Sequence, residues 1–261
     1  VSTRHAVSDT LDESALRDSP FCQTVEIHAE LGSTNDRARE LIATEATLPA
    51  LIVADRQTAG RGRGANRWWA SDGALTFSIA LDAAARGLTT AQHGLLSLAT
   101  AVAIVEAVRT TTGRAAGVKW PNDVLLAGRK LAGVLIESPR PGRLVIGVGV
   151  NVANRFDGAP DDVRARATSL AGSGTTRQAV LAAFLSAFDA RLTQLAAGDP
   201  QLIDAARAAC VLKGEIVTLR DGERETTGAC RGLAEDGALL IESDAKVASY
   251  YAGVIARSGE R

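Results

Sequence analysis

The order of strand and helix signals predicts an α+β fold that ends in a small β-barrel. Three observations carry this. Alternating or continuous apolar runs at 24–28, 51–54, 74–81, 123–126, 131–137 and 144–152 read as strands. Two long apolar stretches, 91–111 and 176–195, read as helices, the first ended by Gly113 and the second opened by Thr176. Beyond a further helix at about 200–210, helix signals stop, and short β runs alternate with the turn pairs Asp221-Gly222, Asp236-Gly237 and Ala252-Gly253. A chain of 261 residues, 46% hydrophobic and 23% charged, can bury one sizeable core and a small second one. The predicted organisation is a tail over 1–20, a main domain over 21–211 and a five- or six-strand barrel over 212–257 that must dock on the main domain to be stable.

Taken in order, residues 1–20 are polar and of mixed charge, with Leu11, Ala15 and Leu16 as an apolar stripe, and predict a frayed tail or one short helix. Thr24 to His28 alternates as a strand. Ser33-Thr34-Asn35-Asp36 then supplies a run of N-cap residues before Ala38, Leu41 and Ile42, so a helix starts there. Those hydroxyls and that amide either cap the helix or hydrogen-bond a polar ligand at its N-terminus. Between the strand runs 51–54 and 74–81 lies a stretch that is neither helix nor strand, Ala54 to Trp69, with three glycines and three arginines between Gly60 and Arg67 and two tryptophans at its end. Glycines let backbone N–H groups approach an anion, and Arg61, Arg63 and Arg67 add forked positive charge. A small-anion cradle, a nucleic-acid contact and a solvated turn are all compatible with that composition, but both ends of the loop are tied to core strands, which is where binding sites are built.

Asp123–Leu126 and Leu131–Glu137 are separated by a tight Ala-Gly-Arg-Lys connection and predict a hairpin, with Pro121 where a strand can begin. In the next run Gly147 and Gly149 allow close backbone approach. Lys119, Asn122, Asp123, Lys130 and Asn151 lie within or at the ends of these apolar strands; singly, each reads as a surface or edge residue. Residues 160–172 look irregular.

Composition excludes several functions. Net charge is −1, from 29 basic and 30 acidic residues, which disfavours a nonspecific polyanion binder. Cys22, Cys210 and Cys230 are odd in number and lack metal-knuckle spacing, so reduced thiols in the cytoplasm are expected. His5, His28 and His93 are scattered, and no apolar run approaches the length needed to cross a bilayer, so neither a histidine-built metal site nor a membrane span is expected.

With Ser33-Thr34-Asn35, Gln57-Thr58-Ala59-Gly60-Arg61-Gly62-Arg63, Lys119-Trp120-Pro121-Asn122-Asp123, Arg129-Lys130-Leu131-Ala132-Gly133-Val134-Leu135 and Gly147-Val148-Gly149-Val150-Asn151 in order, the chain resembles the biotin protein ligases over about residues 24–256. The resemblance implies a mixed sheet backed by helices, like class II aminoacyl-tRNA synthetases, followed by an SH3-like barrel. It implies an ATP-dependent enzyme that makes biotinyl-5'-AMP with release of pyrophosphate and passes biotin to a lysine of the biotin carboxyl carrier protein of acetyl-CoA carboxylase. Ser33, Thr34, Asn35 and Gln57 match biotin-contacting positions. Arg61, Gly62 and Arg63 match the loop that orders over biotin and the adenylate, with Trp68 closing above. Lys130 matches the lysine that reaches the biotin carboxylate and the α-phosphate, and Lys119, Asn122, Asp123 and Asn151 the nucleotide side, with Mg²⁺ at Asp123. Arg61, Arg63 and Lys130 are the expected catalytic residues. The family loop commonly carries Gly and Arg where this chain has Ala65 and Asn66, which bears on the adenine end of the intermediate. Only some 23 residues precede the first core strand, so the ligase-only type, without a DNA-binding domain and without DNA or membrane partners, is expected. A homodimer paired through an edge strand is left open. The alternative in the same superfamily is a lipoate ligase or octanoyltransferase.

Overall fold

The computed structural model describes residues 9–257; residues 1–8 of the expected tail, with His5, and residues 258–261 lie outside the described residues. A seven-stranded sheet forms the main body, built from β1 (Thr24–Leu31), β2 (Ala50–Gln57), β3 (Ala74–Asp82), β4 (Ala116–Lys119), β5 (Asp123–Leu126), β6 (Arg129–Arg140) and β7 (Arg143–Asn151). The strand order is β1-β2-β3-β7-β6-β5-β4. β1 and β2 pair in parallel and the other neighbours antiparallel, so the sheet is mixed.

Period-2 patterning decides what each face carries. On one face Leu51, Val53, Phe77, Ile79, Ile146 and Val148 join the main core with α3 (His93–Thr112), α5 (Arg177–Ala197) and α6 (Pro200–Ala209). Phe77 meets Phe184 edge-on at 5.0 Å between ring centroids. The intervening positions Ala50, Ile52, Ala80 and Val145 face the other way and receive Ala38, Leu41 and Ile42 of α2 (Thr34–Ala43). This second helix is only ten residues long and covers one end of its face. The other end is left for the loop between β2 and β3.

After α6 comes a second sheet of β8 (Ile216–Asp221), β9 (Arg224–Leu233), β10 (Leu239–Ser243), β11 (Lys246–Tyr250) and β12 (Val254–Arg257), antiparallel in the order β11-β10-β9-β8-β12. Among the described residues no strand ladder joins β11 to β12, so the expected barrel is open along that seam. The small sheet docks on the main body at Gly237, whose carbonyl accepts from Trp120 Nε1 at 3.1 Å, and at Leu233, whose carbonyl accepts from Arg207 Nε at 2.9 Å.

Several sequence expectations need correction. β4 is a third strand ahead of the expected hairpin; its four residues, Ala-Gly-Val-Lys, run straight into Trp-Pro and carry too little apolar pattern to register alone. The hairpin itself turns on two residues, Ala127 and Gly128, both at positive φ. The stretch expected to be irregular contains α4 (Asp161–Arg166), a short helix with no buried residue and hence no apolar stripe. The tail, by contrast, contains one short helix as one of its two expectations had it, α1 (Glu13–Arg17), seated by Leu16, which is 1% exposed. Two helices, Thr90–Thr112 and Arg177–Ala197, are by length and apolar composition long enough to span a bilayer, contrary to the expectation that no run approaches that length. Their apolar residues are instead buried against each other and the sheet.

Candidate functional site

The site is built on glycines. On the face shared with α2, β3, β7 and β6 bring Ser78, Gly147 and Leu135 side by side, and one pair further along lie Thr76, Gly149 and Gly133. A Cβ at Gly147 would stand 2.3 Å from Asn35 Oδ1, and one at Gly149 2.3 Å from Trp68 Cε2. At Gly133 it would meet Lys130 Cε at 3.3 Å and Asp123 Oδ1 at 3.5 Å. The close approach expected of the β7 glycines is therefore real. They form a floor on which an asparagine, a tryptophan and a lysine rest.

At one end of the floor stands the N-terminus of α2. Ser33 is its N-cap and is 5% exposed, but its hydroxyl makes no capping hydrogen bond. The Thr34 backbone N–H instead donates to Gln57 Oε1 at 2.8 Å. Ser78 Oγ lies 2.7 Å from Thr34 Oγ1 and 2.6 Å from Asn35 Oδ1, and Asn35 Nδ2 donates to Glu137 Oε2 at 2.7 Å. Gln57, Thr34, Ser78, Asn35 and Glu137 thus make a polar ladder across four strands and a helix end. Sequence reading missed Ser78 and Glu137. Ser78 had a signal, since with Thr76 it breaks an otherwise apolar strand at alternate positions.

The arginine loop is a narrow hairpin. Gly62 N–H donates to Asn66 O at 2.8 Å, Trp68 N–H to Gly60 O at 3.1 Å, and Arg61 bridges Arg67 in antiparallel fashion. Asn66 Nδ2 donates to Arg63 O at 3.0 Å, so the residue that departs from the family pattern closes the turn. Arg61 Nη1 lies 2.7 and 2.8 Å from the two Asp36 oxygens, and Nη2 3.3 Å from Glu137 Oε2. Burial works against the Arg61 charge, yet the Asp36 hydrogen bond and the Asp36 and Glu137 charges outweigh it and raise its pKa. Arg63 Nη1 donates to Asn122 Oδ1 at 3.1 Å and, at 3.5 Å, to the carbonyl of Gly253 in the small sheet. Trp68 Nε1 is buried without a hydrogen-bond partner among the described residues.

Beyond the loop, Lys130 Nζ is 2.7 Å from Asp123 Oδ1, an ion-pair distance without hydrogen-bond alignment. Asn122 is pinned by Val134, whose O accepts from its Nδ2 at 2.8 Å and whose N donates to its O at 2.9 Å. Asn151 is 3% exposed; its Nδ2 points to Lys130 O at 3.5 Å and its Oδ1 accepts from Asn154 Nδ2 at 3.0 Å. Lys119 sits opposite Asp123 on the sheet's edge strand, at the margin of this cluster. An open cavity lined by Arg129, Asn154, Arg155, Phe156, Arg164 and Ser169 adjoins Asn151 through Asn154. Phe156 there lies 5.9 Å from Trp69, centroid to centroid, and nothing in the sequence marked it. Among the described residues no three His, Cys, Asp or Glu side chains converge as a metal cage. Cys22, Cys210 and Cys230 form no disulfide among the described residues, and burial with the Asp189 charge pushes Cys22 up to about 12.

Residues 30–152 match the Biotin/lipoate A/B protein ligase family, and residues 213–257 the Biotin protein ligase C terminal domain. The chain is 30% identical over 266 residues to the biotin–[acetyl-CoA-carboxylase] ligase of Mycobacterium tuberculosis, covering 97% of this chain and 98% of that one. It is 34% identical over 234 residues to the enzyme of the same name from Paracoccus denitrificans, covering 83% and 93%. Among solved structures, the biotin protein ligase of Aquifex aeolicus in complex with biotin and ATP superposes with a TM-score of 0.79 at 29% identity, over 90% of this chain and all of that one.

Proposed function

The chain belongs to the biotin protein ligase family, and we propose that its glycine-floored cleft joins biotin to ATP and then hands the biotinyl group to a carrier-protein lysine. In the first step a biotin carboxylate oxygen bonds to the α-phosphorus of ATP and the bond to pyrophosphate breaks. In the second, a neutral lysine amine attacks the acyl carbon of biotinyl-5'-AMP, the C–O bond breaks, AMP leaves and the amine gives its extra proton to solvent. The carrier is the biotin carboxyl carrier protein of acetyl-CoA carboxylase.

Anion must approach anion in the first step, so fixed cations are required. The observation that carries the reading is Lys130, laid over Gly133 on the glycine floor with its Nζ 2.7 Å from Asp123 Oδ1. Ser33, Thr34, Asn35 and Gln57 line the end suited to biotin's polar ring system, where Ser33 keeps a hydroxyl unused by the helix cap. Gly62 leaves the loop backbone close to the ligand, Arg63 faces the phosphate, and Trp68 covers the apolar body of biotin. Lys119, Asn122, Asp123 and Asn151 belong to the nucleotide side, and the aromatic face of Phe156 in the adjoining cavity suits a purine. A lone carboxylate fits Mg²⁺, which binds through one or two protein oxygens and the nucleotide's phosphates. Asp123 would hold it, and bound there it would offset phosphate charge.

The test is to mix the protein with labelled biotin, ATP and a biotin carboxyl carrier domain, with lipoate and octanoate in parallel. Label transferred to one carrier lysine, with one pyrophosphate released per biotin, is expected. Transfer of lipoate in preference to biotin would overturn the reading.

A further inference from the structure

The guanidinium of Arg61 is committed. Nη1 is held by both oxygens of Asp36 at 2.7 and 2.8 Å, and Nη2 by Glu137 Oε2 at 3.3 Å. Glu137 Oε1 accepts from Arg39 Nη2, and Arg39 Nη1 returns to Asp36 Oδ1 at 3.3 Å. Two carboxylates and two guanidiniums therefore close a ring of zero net charge. The same Glu137 Oε2 that touches Arg61 takes the Asn35 amide at 2.7 Å, which turns Asn35 Oδ1 toward Ser78. Arg63 differs: among the described residues its partners are the neutral oxygens of Asn122 and Gly253.

An anion that approached Arg61 would meet Asp36 and Glu137 at the same place, and like charges a few ångströms apart repel. An anion that approached Arg63 would meet an uncompensated cation. The two loop arginines are thus unequal in a way their sequence context does not reveal. We infer that Asp36 and Glu137 are positioning residues of the cleft: they hold Arg61 as a tether between the loop and the N-terminus of α2, and Glu137 sets the Asn35 amide, while Arg63 presents the loop's charge to the phosphate. Arg61 acts through the loop it fastens. Arginine suits this role because its planar fork meets Asp36 with one edge and Glu137 with the other, which a lysine cannot do.

This inference rests on the ligase reading, and its test separates the two. Asp36→Asn, Arg61→Gln and the double variant are compared with wild type for the biotin KM and for escape of biotinyl-5'-AMP, read as labelling of a bystander protein. Because these groups are a third to a half exposed, each single variant is expected to raise the KM and the escape about three- to tenfold. The double variant should be no worse than the worse single. Were Arg61 an anion ligand that Asp36 restrains, Asp36→Asn would lower the KM while Arg61→Gln raised it, and the double would combine both effects; that pattern overturns the tether. Arg61→Lys should behave as Arg61→Gln, whereas an anion ligand would be largely rescued by the retained charge. Should Asp36→Asn fail to fold, Glu137→Gln closes the same cycle with Arg61→Gln. A wild-type protein that releases no pyrophosphate from biotin and ATP defeats the ligase reading itself; an active wild type with an additive cycle defeats only the tether.

Discussion

Lys130 and Gly149 show how differently two residues of one cleft can matter. Lys130 is already paired with Asp123, so in the proposed reaction its amine would leave one anion to serve another, and the exchange would favour the group whose charge grows during phosphoryl transfer. Lys130→Ala should lower the rate of pyrophosphate release at saturating biotin by about 100-fold or more, while biotin affinity measured by calorimetry changes far less. An unchanged rate would return the lysine to a surface role. Gly149 supplies only room. In Gly149→Ala the methyl must displace the Trp68 ring that now lies 2.3 Å from its position, at a cost of about 1–3 kcal/mol, and the indole emission should shift to longer wavelength as the ring leaves its half-buried seat. A variant with wild-type emission and stability would show the floor to be softer than described.

Among elements, the loop between β2 and β3 and the pairing of β1 with α2 are the informative ones. The loop was legible as a loop tethered between core strands because its glycines and arginines are contiguous and its flanks are apolar strands. Its fastenings were not. Arg61 meets Glu137 at a sequence separation of 76 and Arg63 meets Gly253 at one of 190, and no local pattern encodes such contacts. Arg61 and Arg63 both have protein partners, so binding an anion would exchange contacts rather than create them. Removing one set should loosen the loop: in Arg63→Gly adenylate is still made, yet it escapes and labels a bystander such as albumin several-fold more than wild type does. Absence of bystander label alongside continued adenylate synthesis would confine the loop's charge to the first step. Between β1 and α2, Arg37 grips Glu26 with Nε and Nη2 at 2.9 Å each. That grip, with His28 and against the effect of burial, lowers the Glu26 carboxyl from 4.5 to about 2. The folded value is the depressed one, so the stabilisation is complete above pH 4.5 and lost as pH falls toward 2. Urea midpoints of wild type and Glu26→Gln should differ at pH 6 and converge as pH falls through that window. Midpoints that stay apart at pH 2 would mean that the pair contributes by packing rather than by charge.

At the scale of the whole molecule, the period-2 strands and the long apolar helices were readable because burial on two faces leaves a dense apolar record. β4 and α4 left none, being short and polar at their ends, and the open seam between β11 and β12 cannot be read from strands that look alike in sequence. Which face of the sheet would carry the site was legible only in part: two glycines on β7 marked it, while Ser78 and Glu137 completed it from other strands. The turn between β9 and β10 meets α3 of the main body at Gly237, where φ is +82° and a Cβ would stand 2.6 Å from Leu95 Cδ2. Gly237→Val should therefore cost about 2–3 kcal/mol and loosen the docking of the small sheet. Thermal unfolding is expected to broaden or split, with carrier transfer impaired at temperatures where the main body remains folded. A single sharp transition at the wild-type temperature would show that the contact does not couple the sheets.

The glycine floor also limits how the pocket can be diversified. A strand whose inward positions are occupied by neighbours' side chains offers no handle for enlarging or reshaping the cleft, since any substitution there adds bulk where Asn35 and Trp68 already rest. Variation in what the cleft accepts must come from its walls, from Thr34, Ser78 and Trp68, where shortening a side chain creates volume without moving the backbone. A library aimed at accepting bulkier or chemically tagged biotin analogues would be productive at those three positions and barren at Gly147 and Gly149.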